Sequence, residues 1–387
     1  MVFKAFSSLK IKVVIKPVVD NLVFRLHYKF TYAMFMVFAL LTTLYDAIGN
    51  KIDCMAPVDD GNEEAFKDVV DSYCFIMGTY TVDRHHGRKI GVEVPHTGVG
   101  PRIGDEAITY HTYYQWVPFV LFLQGILFYL PHFLWKICEG GLFRSIIQNL
   151  SIRDYLGYGK GIRNYFNREE QFDALTKYIK DHMIYHKSWA FKFFFFEGMN
   201  LVVVICMIYF TDWFLGGEFL QYGTSVMEVI GLEPENRTDP MSYIFPRMAK
   251  CTFKYFGSSG TVQIRDILCL IATNIVNEKI YLFLWIWLII LTAATSLWLL
   301  LRILMIILPF FRHFVLRMYV REEMYADLAT VLKNATLSDW FLMVNLGRNM
   351  DNMVFSEFIG YFAKELAYST DTLAMDDLDT KKPLMRT

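Results

Sequence analysis

Residues 281–301 read YLFLWIWLIILTAATSLWLLL, without a single charge. A helix rises about 1.5 Å per residue, so roughly 20 apolar residues cross a hydrocarbon layer of about 30 Å. A buried helix of a water-soluble protein is the competing reading, and the length of the uncharged run argues against it. Three further stretches qualify as spans: residues 30–45, short but uncharged, 117–137 and 190–213. The chain has 387 residues, 54% hydrophobic and 17% aromatic, which suits four spans. The expected fold class is an all-α membrane protein with four transmembrane helices.

Orientation follows from the placement of Lys and Arg, which stay on the cytoplasmic side. Residues 1–29 hold six basic residues against one acid, and residues 136–192 hold ten against six. The other two connections are acidic, six basic against twelve acidic over 46–116 and six against eight over 212–280. Both termini and the middle loop are therefore expected in the cytoplasm of a multi-pass plasma-membrane protein. In order, the chain divides into an arm (1–29), a first span (30–45), an outer loop (46–116), a second span (117–137), a cytoplasmic loop (138–189), a third span (190–213), a second outer loop (214–280), a fourth span (281–301) and a cytoplasmic C-terminal region (302–387). That last region is expected to be helical until it dissolves into an irregular tail over 369–387. The net charge of −1 hides the asymmetry and gives no sign of a nucleic-acid partner. Residues 1–20 lack the continuous apolar core and small-residue cleavage site of a signal peptide, so the first span is expected to insert by itself. Met1-Val2 lacks the glycine that myristoylation requires.

Cys54 and Cys74 fall in one outer loop, Cys251 and Cys269 in the other. Disulfides form and persist outside the cell, so all four are expected to be oxidised, and four cysteines leave three connectivities open. Cys138 and Cys206 need no partner. Within the spans Glu197 stands out, because an ionisable group in a membrane helix is a functional-site hypothesis by default. Asn200, three residues on, shares its face, and a bond to a neighbouring helix is the structural alternative. Pro131 removes a backbone donor from the second span and should kink it. Val2, Phe6, Leu9 and Val13 recur at helical spacing, consistent with an amphipathic helix on the inner membrane surface.

Catalytic and metal signals are weak. His85, His86 and His96 with Asp83 lie in a glycine-bounded loop that offers no ligand scaffold, and are expected to be solvated. His182 and His186 share a helix face but lack the glutamate of a zinc hydrolase motif, and residues 157–161 (GYGKG) lack the ending of a phosphate loop. No catalytic residue, cofactor or metal is therefore expected. Asn236-Arg237-Thr238 is the one glycosylation sequon in an outer loop.

Tyr113-Tyr114-Gln115-Trp116-Val117, where the first outer loop meets the second span, resembles the hallmark of the innexins, the invertebrate gap-junction proteins, and of their arthropod members in particular. In order along the chain, Asp20-Asn21 with Val23-Phe24-Arg25-Leu26-His27-Tyr28, Glu139-Gly140-Gly141, Leu215-Gly216-Gly217-Glu218-Phe219 with Tyr222-Gly223, Phe245-Pro246-Arg247 with Lys250-Cys251-Thr252-Phe253, and Asn277-Glu278-Lys279-Ile280-Tyr281 also resemble family segments. The resemblance covers about residues 20 to 350. It implies a large-pore channel for ions and small metabolites, built as a ring, octameric in similar proteins, of this chain alone or with other innexins. Such a ring is embedded in membrane lipid and docks end to end with a second ring on an adjacent cell, or works undocked as a hemichannel. It further implies Cys54–Cys269 and Cys74–Cys251 bonds, an arm folded into the pore mouth with Val2, Phe3, Lys4 and Phe6 as lining residues, and a gating role for the bend at Pro131. A four-span adhesion protein that conducts nothing, and more remotely a transporter, are the alternatives.

Overall fold

The computed structural model describes residues 17–55, 63–149, 168–229 and 240–380. Val2, Phe3, Lys4, Phe6, Asn236 and the glycine-rich residues 157–161 lie outside them. In chain order the elements are α1 (Leu22–Ile48), β1 (Asp53–Cys54), α2 (Glu63–Met77), β2 (Thr79–Val82), β3 (Ile108–His111), α3 (Val117–Glu139), α4 (Leu142–Asn149), α5 (Arg168–Asp181), α6 (Met183–Phe214), α7 (Phe219–Val229), α8 (Pro240–Ile244), β4 (Met248–Phe256), β5 (Val262–Leu270), α9 (Ala272–Ile307), α10 (Pro309–Arg317), α11 (Tyr325–Asn334), α12 (Leu337–Asn349) and α13 (Asn352–Thr380). The chain is mostly helical, and α1, α3, α6 and α9 are long and apolar enough to cross a membrane.

These helices outrun the uncharged runs. At 36 residues α9 is about 54 Å long, well beyond a hydrocarbon layer of about 30 Å. The reason is that charges at the helix ends do not stop a helix when protein groups receive them. Thus α1 starts at Leu22 rather than near Phe30 and carries Arg25 and Lys29 within it, and α9 continues past Leu301 through Arg302. The last helix also overruns its expected end. From Gly360 to Pro383 no glycine or proline interrupts the chain, and α13 runs to Thr380.

The chain divides into two compact units. One holds Val23–Pro131 and Met199–Ser296. Its helical core packs Phe35 of α1 against Phe128 of α3, with ring centroids 5.3 Å apart, beside Leu121, Val204, Tyr281, Leu284 and Leu288. Residues Leu26–Thr31 of α1 form a π-helical turn, and its two buried polar groups are bonded to α9: His27 Nε2 lies 2.9 Å from Thr295 Oγ1, and Trp287 Nε1 donates to Thr31 Oγ1 at 3.0 Å. A π turn inserts a residue into the helical ladder, and here it aligns both side chains with one neighbour.

The outer segments of this unit add what the all-α expectation did not foresee, a five-stranded antiparallel sheet in the order β1-β5-β4-β2-β3. The β4–β5 hairpin of the second loop lies between β1 and the β2–β3 pair of the first, so neither loop forms the sheet alone.

The other unit holds Met1–Leu22, His132–Gly198 and Leu297–Thr387. Its core is aromatic. Trp135 meets Phe193 at 5.0 Å, Phe193 meets Phe341 at 5.2 Å, and Phe143 stacks on Trp189 at 5.9 Å. Through that core runs α12, buried from Ser338 to Gly347 and started by a capping box in which Thr336 and Asp339 bond each other's backbone N–H.

Candidate functional site

The outer sheet is knitted by two disulfides. On adjacent antiparallel strands Cys54 sits opposite Cys269, with Cα atoms 3.9 Å apart and the sulfurs bonded at 2.03 Å. Cys74, near the end of α2, is bonded to Cys251 on β4 with Cα atoms 5.7 Å apart. The sulfurs of Cys54, Cys74 and Cys269 lie within 4.8 Å of one another, so the two bridges are neighbours in one core with Val70, Tyr114, Ala249, Phe253 and Ile267. Each bridge ties the first outer loop to the second.

The loop between β2 and β3 is fastened to the sheet by histidines and one lysine. His85 is buried rather than solvated, and its Nε2 lies 3.1 Å from the carbonyl of Pro101. Thr81 Oγ1 sits between His111 Nε2 at 2.8 Å and His86 Nε2 at 3.2 Å. From sequence, His85 and His86 are expected in solvent because the glycines around them offer no scaffold. Two of those glycines instead permit close approach: a Cβ on Gly100 would lie 2.5 Å from the His85 ring, and Gly98, at φ +73°, would place one 2.8 Å from His86 and Thr81. Burial holds His111 at about 4, far below an ordinary histidine; a charge on His86 would act in the same direction and Asp83 opposes it. Lys250, nearly buried, donates to the Gly100 carbonyl at 2.8 Å and pairs with Asp266, which also accepts from Tyr80 Oη at 3.0 Å.

Four of the sequence segments singled out above meet at the outer end of α9. Arg247 forks onto the buried Glu278 carboxylate at 2.9–3.1 Å, Tyr222 Oη donates to the Glu278 carbonyl at 2.8 Å, and Asn274 Nδ2 donates to the Pro246 carbonyl at 2.8 Å. Phe245 stacks on Tyr281 at 5.4 Å, and Tyr113 Oη reaches the Ile244 carbonyl at 2.9 Å. Gly223 is required there, since a Cβ would fall 2.2 Å from the Trp285 ring. At the same junction Gln115 Nε2 donates to the Phe75 carbonyl, while Trp116 is exposed beside Phe119 where aromatic rings favour the membrane interface.

The family profile described as Innexin matches residues 20–366. The chain is 39% identical over 366 residues to innexin inx2 of Schistocerca americana, covering 94% of this chain and 98% of that one. It is 40% identical over 367 residues to innexin inx2 of Drosophila melanogaster (94% and 96%) and 38% identical over 351 residues to innexin shaking-B of the same species (90% and 91%). The chain belongs to the innexin family. Innexins form gap-junction channels in the plasma membrane, so the functional site of this innexin is a conduit.

At the other end of the spans, this innexin uses Glu197 structurally. Its carboxylate accepts from Arg302 Nε at 2.9 Å, from Arg302 Nη2 at 2.8 Å, from Trp298 Nε1 at 3.1 Å and from Asn21 Nδ2. The guanidinium is packed among Phe194, Trp298 and Phe341, 5.0–5.6 Å from their ring centroids. Sequence reasoning named Glu197 but not Arg302; the available signal was a lone acid and a lone base at the same end of two spans. Asn200 is buried, and Pro131 lies within an unbroken α3, the division between units falling just after it.

Proposed function

We propose that copies of this innexin close into a ring, eight by family resemblance, and that two rings on apposed cells dock through the disulfide-knitted sheet to pass ions and small metabolites. The sheet carries the reading. Because two bridges and a sheet that sets the second loop's hairpin between strands of the first make one body of two loops, it is a preorganised face, and ordering it again on docking costs little. A closed ring also needs side-to-side contacts, and only 22% of the most apolar window of α9 is buried within the chain, leaving surface for neighbouring copies as well as lipid. On this reading all four bridging cysteines are oxidised at the cell surface, both termini face the cytoplasm, and Val2, Phe3, Lys4 and Phe6 line the pore mouth and contribute to selectivity.

Electrical recording from single cells and from cell pairs expressing this chain alone tests it. Junctional current in pairs is expected. Firm adhesion without current favours the adhesion alternative. Current in single cells only identifies a hemichannel, and current only with a second innexin identifies a mixed ring.

A further inference from the structure

Residues Val18, Val19, Asp20 and Asn21 join the N-terminal arm to α1, and every one of them is held. The Val18 N–H donates to Asn349 Oδ1 at 2.7 Å, and Asn349 Nδ2 returns a bond to the Val18 carbonyl at 2.8 Å. One side-chain amide thus pairs with a backbone amide as a neighbouring β-strand would. Arg348 Nη1 reaches the Val19 carbonyl at 3.4 Å and Nη2 the Asp20 carbonyl at 3.2 Å. The Asp20 carboxylate lies 3.7 Å from His132 Nδ1, and Asn21 Nδ2 bonds Glu197. Arg348 and Asn349 end α12, the most buried helix of the C-terminal region. Asn349 is itself braced: its Nδ2 also donates to the Asn345 carbonyl at 2.8 Å, and Asn345 donates to Phe341.

We propose that Asn349 and Arg348 are positioning residues through which the C-terminal region sets the base of the N-terminal arm, and hence the voltage response of the pore. The bonds described here from Asn349 and Arg348 to Val18, Val19 and Asp20 all fall on backbone atoms, so they fix where the chain is held. A movement of α12 is transmitted to residue 18 without an intervening loop. The inference rests on the pore-mouth role proposed for the arm.

Recording from cell pairs expressing full-length variants tests it, with surface biotinylation to show that rings arrive. Asn349→Ala removes both bonds to Val18 from the helix side, and Val18→Pro removes the N–H from the arm side. Each is expected to shift the half-closing voltage in the same direction, by an amount equal to about a five- to thirty-fold change in the open-to-closed ratio, the effect of one or two such bonds. The double variant should shift no further than the larger single, because both remove one interaction. Asn349→Asp keeps size and acceptor but loses the donor, and should fall between Asn349→Ala and the unaltered chain. Surface rings of Asn349→Ala or Asn349→Asp with unaltered voltage response, or additive shifts in the double variant, would overturn the proposal. Deleting residues 2–8 tests the arm separately: unchanged unitary conductance refutes the pore-mouth reading, whereas the clamp is judged by the voltage shifts of the Asn349 and Val18 variants.

Discussion

Removing the charge of Glu197 tests how the inner ends of α6 and α9 are held together. Both members of the pair are buried, with side chains 2% and 9% exposed, so solvent screening offers little relief. Glu197→Gln keeps the shape but turns one acceptor oxygen into an NH2 that faces Arg302 Nε if it replaces Oε2, or Arg302 Nη2, Trp298 and Asn21 if it replaces Oε1. Hydrogen bonds to charged groups contribute about 1.5–3 kcal/mol each, and removing one member of a buried pair costs about 3–5 kcal/mol because the other charge stays behind. The three rings around Arg302 offset part of that loss and remain in the variant. A destabilisation of about 3–5 kcal/mol corresponds to a fall in melting midpoint of about 6–20 °C for a large domain. Thermal unfolding of the detergent-solubilised ring, followed by size-exclusion chromatography, measures it. Arg302→Met should cost a similar amount. Replacing both, Glu197→Gln with Arg302→Met, should cost less than the sum by about 2 kcal/mol or more, since no uncompensated charge remains. A single variant melting within about 2 °C of the unaltered chain, or strict additivity in the double, would refute the reasoning.

Three further outcomes are expected. Cys74→Ser and Cys251→Ser should impair surface delivery equally, and the double serine variant no more than either, as measured by surface biotinylation; unequal or additive losses argue against that bridge. His111, at about 4 in the folded protein against 6.5 as its ordinary value, binds its proton more readily when unfolded, so outer-domain stability should hold above pH 6.5 and fall as pH drops toward 4. That loss approaches about 3 kcal/mol, and His111→Gln should flatten the acid limb of a thermal-stability profile measured against pH. Gly223→Ala places a methyl inside the Trp285 ring contact and should cost about 1–3 kcal/mol in thermal stability, or prevent ring assembly, whereas Gly216→Ala, with open space around it but φ +78°, tests backbone strain alone.

Much of this architecture was legible where a single residue type suffices. Uncharged runs marked the spans, lysine and arginine placement marked the sides, and Glu197 was conspicuous as the one acid that could not be moved out of its span. The sheet was legible too but overlooked. In residues 248–256, MAKCTFKYF, Cys251, Phe253 and Tyr255 alternate with Lys250, Thr252 and Lys254, and GSSG at 257–260 supplies the turn into β5. The rest depends on distant partners. Nothing local says that His85 will fold under Pro101, that Arg302 will face Glu197, or that Asn349 will bond Val18, because each requires knowing which helix face or loop meets which.

The cross-loop bridges also impose an order on synthesis. Cys74 waits for a partner 177 positions later in the sequence, and Cys54 for one 215 positions later. At about 5–20 residues per second of translation, Cys74 stays a thiol for roughly 10 to 40 seconds after it is made. During that interval the second and third membrane helices are still being made, and the first outer loop lacks the strands that flank its own. The outer domain therefore closes only when the second loop has followed the third span across the membrane, since Cys251 and Cys269 both precede α9. Free thiols at these four positions on the lumenal side mark an unfinished subunit, and their disappearance certifies that the third crossing has delivered the second loop.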